Sequence, residues 1–415
     1  MGWLSGWSYR KSHVVNSASG AGANYQVRIK AHYGSGTDSG EDVYLNSHCR
    51  TDFGDVRFTD DDGTTLLDYW MEEKVDSDYA IFWVEVADDL SSNNATIYVY
   101  YGKSDATTTS NGDNTFLLFD HFEGSTLNPN KWVSTGNVAV ANSEVSIWST
   151  GASVSKIRSL ASWLYNVAVR MKVKCNDVYD ETFGLRLDAS PFDSAIFNRN
   201  SGGFWAQTEN EGNVTTTSVT WLSDYHLYDV TWVSGKTKYY RDNSLIAQHA
   251  TNVPDESLYA RFATYNANTQ IVMDWVAVRK YVDPEPTHGG WESEETSGGV
   301  TVAWSALLNT NHVFTRPIRF FKLSQTLNAT HIFIRNRLVR LTHALQTTHV
   351  FSRPARVIRL PAALQLTHVY GRPFRFIKLL QQLGLVREYY VSKPGVKKTK
   401  LFLVLGGLAI QLSSD

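Results

Sequence analysis

Two runs, Ala80-Ile-Phe-Trp-Val-Glu-Val86 and Ala95-Thr-Ile-Tyr-Val-Tyr-Tyr-Gly102, separated by a segment ending in Ser91-Ser-Asn-Asn94, decide the fold class. Both are short, rich in β-branched and aromatic residues, and bounded by turn formers, a composition that suits strands and not helices. Working outward, Tyr25-Gln-Val-Arg-Ile-Lys-Ala31 and Asp55-Val-Arg-Phe-Thr59 repeat the pattern, with Gly34-Ser-Gly36 and Asp60-Asp-Asp-Gly63 as punctuation. Strands at this spacing predict a β-sandwich over residues 1–115. The Asp60–Asp62 carboxylates lack the rest of a calcium loop and read as a solvated turn.

The chain has 415 residues, enough for two or three domains, with 13 Trp, 21 Tyr and 28 Gly. Its two cysteines, Cys49 and Cys175, form no metal-ligand pattern and imply buried thiols. The start carries no apolar leader run, so no Sec signal peptide is expected. The apolar run Leu401–Leu412 is too short to span a bilayer.

Residues 2–115, through Gly6-Trp-Ser-Tyr-Arg-Lys11, Asp55-Val-Arg-Phe58 and Ile97-Tyr-Val-Tyr-Tyr-Gly102, resemble an uncharacterised domain family of large archaeal and bacterial surface proteins. That resemblance implies no activity; it implies a setting beside carbohydrate-binding or adhesive modules. Residues 116–281 resemble the concanavalin A-like jelly rolls of lectins and laminarinase-type hydrolases. The resemblance rests on Phe119-Asp-His-Phe-Glu-Gly-Ser-Thr-Leu-Asn-Pro-Asn-Lys-Trp132, Tyr225-His-Leu-Tyr-Asp-Val-Thr-Trp232 with Lys238-Tyr-Tyr-Arg-Asp-Asn243, and Met273-Asp-Trp-Val-Ala-Val-Arg279.

The hydrolase resemblance would imply a Glu-x-Asp-x-Glu strand carrying nucleophile and acid on one face. The expected region, Val169–Asp188, has only the adjacent pair Asp180-Glu181, whose side chains would face opposite ways, so no enzyme is expected. Binding survives, because sugars stack on aromatic rings while polar groups take their hydroxyls. The candidate carbohydrate contacts are Trp148, Arg186, Asp188, Trp205, Gln207, Glu209 and Trp221, whereas Trp132, Trp232 and Trp275 are expected in cores. The resemblance also implies a structural calcium, with Glu123 and Asp274 in the matching positions.

Residues 282–300, with Pro, Gly, Ser and acidic residues, read as a linker. After it a motif returns at His312, His331, His349 and His368. Each copy has an aromatic (Phe314, Phe333, Phe351, Tyr370), an arginine two residues later (Arg316, Arg335, Arg353, Arg372) and closing leucines (Leu323, Leu341, Leu360, Leu379). Proline follows the arginine in three copies, which excludes one continuous helix and predicts a β unit per copy over 301–386, with 387–415 as a cap. Such short units bury their apolar residues only by stacking along the chain or against other chains. The favoured expectation is oligomerisation, most simply a homotrimer, with the aromatics and leucines inside.

Charge is divided along the chain. Residues 296–415 hold 17 Lys/Arg and 2 Asp/Glu, leaving 22 and 39 for residues 1–295, so the two parts carry about +15 and −17. A basic segment of this kind suits an anionic partner, although no nucleic-acid reader motif accompanies it. The fold class expected is all-β: two β-sandwich (jelly-roll) domains followed by a repetitive β-rich C-terminal stalk. The function expected is a non-catalytic attachment protein, a fibre, spike or surface appendage of a virion or extracellular surface, which binds cell-surface glycan and meets other virion or appendage proteins. The alternatives are a laminarinase-type glycoside hydrolase and a nucleic-acid-binding or capsid-lining role for the basic tail.

Overall fold

The computed structural model describes residues 2–151, 153–176, 179–190 and 192–297, and beyond these the backbones of strands within 308–412. Among the described residues the protein is all-β, as expected, apart from one helical turn. In chain order the first strands are β1 (Tyr9–Asn16), β2 (Tyr25–His32), β3 (Asp42–Tyr44), β4 (Arg57–Thr59), β5 (Tyr69–Val75), β6 (Tyr79–Val86) and β7 (Ala95–Tyr101). A turn of helix, α1 (Gly112–Thr115), capped by the Asn111 side chain, leads into the second sandwich.

The second sandwich comprises β8 (Leu118–Asp120), β9 (Trp132–Thr135), β10 (Asn137–Ala141), β11 (Glu144–Trp148), β12 (Ser155–Trp163), β13 (Val167–Cys175), β14 (Glu181–Arg186) and β15 (Ser194–Asn200). It continues through β16 (Gly203–Asn210), β17 (Asn213–Val219), β18 (His226–Val233), β19 (Lys236–Arg241), β20 (Ser244–His249), β21 (Leu258–Thr264) and β22 (Gln270–Lys280). One sheet runs β10-β11-β22-β13-β18-β19-β20 with β8 added beside β22, and the other runs β17-β16-β15-β14-β21-β12-β9. Their inner faces alternate strictly: Val167, Val169, Met171 and Val173 from β13 meet Phe183 and Leu185 from β14 and Phe197 from β15 in one buried cluster. Trp132 and Trp232 lie in that cluster, as expected. This two-sheet jelly roll is the concanavalin A-like arrangement that the motifs implied.

In the first sandwich, β3-β2-β6-β5 form one sheet, and the other runs from β23 (Thr287–Trp291) through β1 and β7 to β4. The return strand β23 corrects the linker reading of 282–300. His13 opposes Trp291, Val15 opposes His288 and Asn16 opposes Thr287, Val282 is buried in the first core, and Trp291 packs against it. Pro and acidic residues had suggested a solvated segment, but the backbone of β1 offers an edge that this stretch completes. The jelly roll is therefore inserted between two parts of one sandwich. Its first and last strands lie side by side, with Leu117 N donating to Val278 O at 2.9 Å.

The sandwiches meet along a buried aromatic seam. Trp70, Trp83, Phe116, Phe119, Trp275 and Ala277 form a separate buried cluster, with Trp70 and Trp275 in edge-to-face contact at 4.9 Å. Trp275, expected in a core, is buried in this seam. Beside the rings, Gln26 bridges the two parts: its Nε2 donates to Thr115 O at 2.8 Å and its Oε1 accepts from Lys280 N at 3.0 Å.

In the C-terminal part, strand Leu308–Phe314 pairs in parallel with Leu327–Ile334, then Leu345–Ser352, then Leu364–Gly371. The register sets His312 against His331, His331 against His349 and His349 against His368. A second parallel sheet runs Phe320–Leu323, Leu338–Leu341, Val357–Leu360 and Ile377–Leu379. The paired strands of each copy thus lie in parallel register with those of the next. The aromatic and leucine side chains expected to drive oligomerisation lie outside the described residues.

Candidate carbohydrate-binding face

The outer face of the β17-to-β9 sheet is built by the residues that alternate with its core. On β14, Phe183 and Leu185 point inward, leaving Thr182, Gly184 and Arg186 outside; on β16, Phe204 and Ala206 point inward, leaving Trp205, Gln207 and Glu209 outside. Register then fixes three rows across the sheet. Trp205, Asn198, Thr182, Ala263 and Lys156 form one row, and Gln207, Ile196, Gly184, Arg261 and Arg158 the next. Glu209, Ser194, Arg186 and Tyr259 form the third.

Neutral polar groups occupy one end. Asn198 Nδ2 donates to Gln207 Oε1 at 2.7 Å, and Trp205 Nε1 donates to Asn200 Oδ1 at 3.3 Å, leaving the half-buried indole on the surface. Charge occupies the other end. Asp188, two residues past β14, pairs with Lys156, with Arg158 Nε at 3.2 Å and with Arg261 Nε at 3.2 Å. The Tyr265 phenol accepts from Arg261 Nη1 at 2.8 Å and Arg186 Nη1 at 3.1 Å, and contacts Thr182 Oγ1 at 3.3 Å. Burial alone would raise that phenol, but the two guanidinium groups hold it below the ordinary tyrosine range. Burial likewise would raise Asp188, yet the Lys156 and Arg261 cations lower it. Gly184 sits beneath this cluster at φ +138, where a Cβ would meet Ala195 O at 2.7 Å, so only glycine fits.

Of the seven residues proposed from sequence, five share this face: Arg186, Asp188, Trp205, Gln207 and Glu209. Trp221 does not, because it packs edge-on against core Phe204 at 5.4 Å with the Arg199 guanidinium 3.5 Å over its ring. Trp148 is on the opposite sheet, in a groove of about 530 Å³ with Ser146, Asn176, Asn268 and Gln270. Sequence reasoning missed Lys156, Arg158, Arg261 and Tyr265. The alternation of β21, with Leu258, Ala260 and Phe262 buried, marks Arg261 as outward, but only pairing shows that β21 adjoins β14.

Asp180 and Glu181 stand apart from this face. Asp180 precedes β14 at φ +82 and accepts from Asn266 Nδ2. Glu181 points to the interior with the parity of Phe183; it is fully buried, and neither carboxylate oxygen has a hydrogen-bond partner. Burial pushes its carboxyl up to about 8. The calcium expectation finds Asp274 paired with Lys172 Nζ at 2.7 Å and Glu123 exposed beside His121 at 2.9 Å. Asp274 is already countered by the Lys172 ammonium, whereas calcium takes six to eight oxygens, and among the described residues no group of three or more His, Cys, Asp or Glu could hold a metal. No helix among the described residues is long and apolar enough to cross a membrane.

Solved structures similar to the chain include an uncharacterized protein from Mycobacterium paratuberculosis, at 14% identity over 39% of this chain and 100% of that one, with a TM-score of 0.35. An endo-β-1,3-glucanase from Pyrococcus furiosus follows at 13%, 40%, 94% and 0.33, and a Bacillus licheniformis β-glucanase at 15%, 39%, 97% and 0.33. No curated protein matches the sequence. Residues 52–135 match a family described as a domain of unknown function, DUF2341, a span that starts later than the resemblance over 2–115 and runs across the seam into β8 and β9 of the jelly roll.

Proposed function

We propose that the protein is a non-catalytic attachment protein whose jelly roll binds glycan on the outer face of the β17-to-β9 sheet. The observation that carries this reading is the sharing of one face by a half-buried indole, an amide ladder and a cluster of charged donors. An aromatic platform with polar groups at its side is what a sugar needs for stacking and for its hydroxyls. Absence of turnover is supported by the fate of the carboxylates. Asp188 is held by three cations, and Glu181 faces the core, so neither is placed as one of two opposed acids flanking a glycosidic bond. The stacked repeat supplies the stalk in this reading, and a cell or virion surface is the setting.

A glycan array followed by calorimetry with the full chain tests the proposal. Trp205→Ala is expected to weaken a bound oligosaccharide by about tenfold with the melting temperature unchanged. Release of reducing ends from laminarin or lichenan, lost in Asp180→Asn or Glu181→Gln, would instead make the protein a hydrolase.

A further inference from the structure

Charge is unevenly spread over the jelly roll. Residues 116–281 hold 14 Lys/Arg and 16 Asp/Glu, and four of those cations, Lys156, Arg158, Arg186 and Arg261, converge on an area where Asp188 is the central carboxylate. Glu209, in the same cross-sheet row as Arg186, contacts Gln207 and Ser194, so two carboxylates face four cations on this area. Arg186 is the most telling of the four. Its guanidinium lies over the Phe192 ring at 4.4 Å and donates to Tyr265, while its Nε is buried without any hydrogen-bond partner. A buried guanidinium N–H without an acceptor is an unfavourable arrangement that an incoming oxygen would relieve.

We infer, granting that this face binds glycan, that its ligand is an acidic saccharide bearing carboxylate or sulfate groups, with Arg186 as the residue that receives the acid group. A planar guanidinium fork matches either anion bidentately. Trp205 on β16 and Arg186 on β14 are two strand spacings apart, about 10 Å at roughly 4.8 Å per strand, so one oligosaccharide of a few rings can lie on the indole and reach the arginine. Lys156 and Arg158 set the local potential and hold Asp188 away from the ligand.

The test is calorimetry on the full chain with three probes: tetragalacturonate, a heparin-derived tetrasaccharide and neutral laminaritetraose. At least one acidic probe is expected to bind more tightly than the neutral one, to weaken with added salt, and to lose about tenfold or more of its affinity in Arg186→Met. Lys156→Met/Arg158→Met serves as the second variant, with unchanged melting as the check on folding. A neutral probe that binds through Trp205 while both acidic probes fail would overturn the acidic ligand and leave the glycan reading standing. Acidic binding that survives both cation variants and Trp205→Ala belongs to the basic tail and overturns the inference. No binding of any probe would remove the glycan reading with it.

Discussion

Arg170 of the jelly roll and Glu72 of the first sandwich are joined by two hydrogen bonds, Nε to Oε2 at 2.9 Å and Nη2 to Oε1 at 2.8 Å, with both side chains almost wholly excluded from solvent. Arg170 also donates to Asp229 at 2.5 Å and Asn243 at 2.9 Å, and Trp83 Nε1 donates to Glu72 at 2.6 Å. A fork held this way fixes the angle between two domains more firmly than ring contacts alone, because its bonds are directional. Removing Glu72 leaves a buried guanidinium short of an anion. Glu72→Ala should destabilise the protein by about 3 kcal/mol, and denaturant melts should separate into two transitions where the parent shows one.

Glu181 predicts an alkaline weakness. Its folded carboxyl titrates near 8 against an ordinary 4.5, so between those values the folded chain holds a proton that the unfolded chain has lost. Stability should therefore fall as pH rises from about 4.5 through about 8. Glu181→Gln keeps the shape without the charge and should gain about 2 kcal/mol over the parent above pH 8. Melting temperatures of both proteins at pH 5 and pH 9 check this; equal differences at the two values would refute it.

His13 predicts an acid weakness at the return strand. It is buried and stacked on Trp291 at 3.9 Å, and its Nε2 lies 2.9 Å from His288 Nδ1. Burial, with His288 adding to it, lowers its imidazole to about 3. The unfolded chain takes up that proton near 6.5 and the folded chain does not, so stability is lost as pH falls below about 6.5. His13→Phe keeps an aromatic ring against Trp291 and should flatten the acid limb of a pH–stability profile.

A chain cut after 281, the boundary the sequence suggests, should fare worse than one cut after 295. The shorter form gives up Val282 and the packing of Trp291 and leaves β1 with a bare edge. A loss of about 3 kcal/mol or more, with aggregation at high concentration, is expected in side-by-side melts and light scattering. Equal behaviour of the two fragments would mean that β23 contributes nothing.

What could be read in the sequence was local. The alternation of Phe183, Leu185 and of Phe204, Ala206 placed Arg186, Gln207 and Glu209 on an outer face, and the hairpin at Tyr225–Asn243 located β18 and β19. What could not be read was pairing between strands distant in sequence. Arg186 and Tyr265 lie 79 positions apart and meet through the β14–β21 register, and β1 finds β23 across the whole jelly roll. Trp221 shows the same limit, since its composition fits a sugar platform and its neighbours, Phe204 and Arg199, make it a lid on the core.

The adjacency of β8 and β22 at the neck of the jelly roll has an evolutionary and practical reading. An insert whose two ends leave its host side by side can be exchanged without rebuilding the host, provided the replacement presents the same two neighbouring strands and an aromatic patch to meet Trp70 and Trp83. The first sandwich is then a socket, and different recognition modules could be seated in it by recombination between related chains or by design.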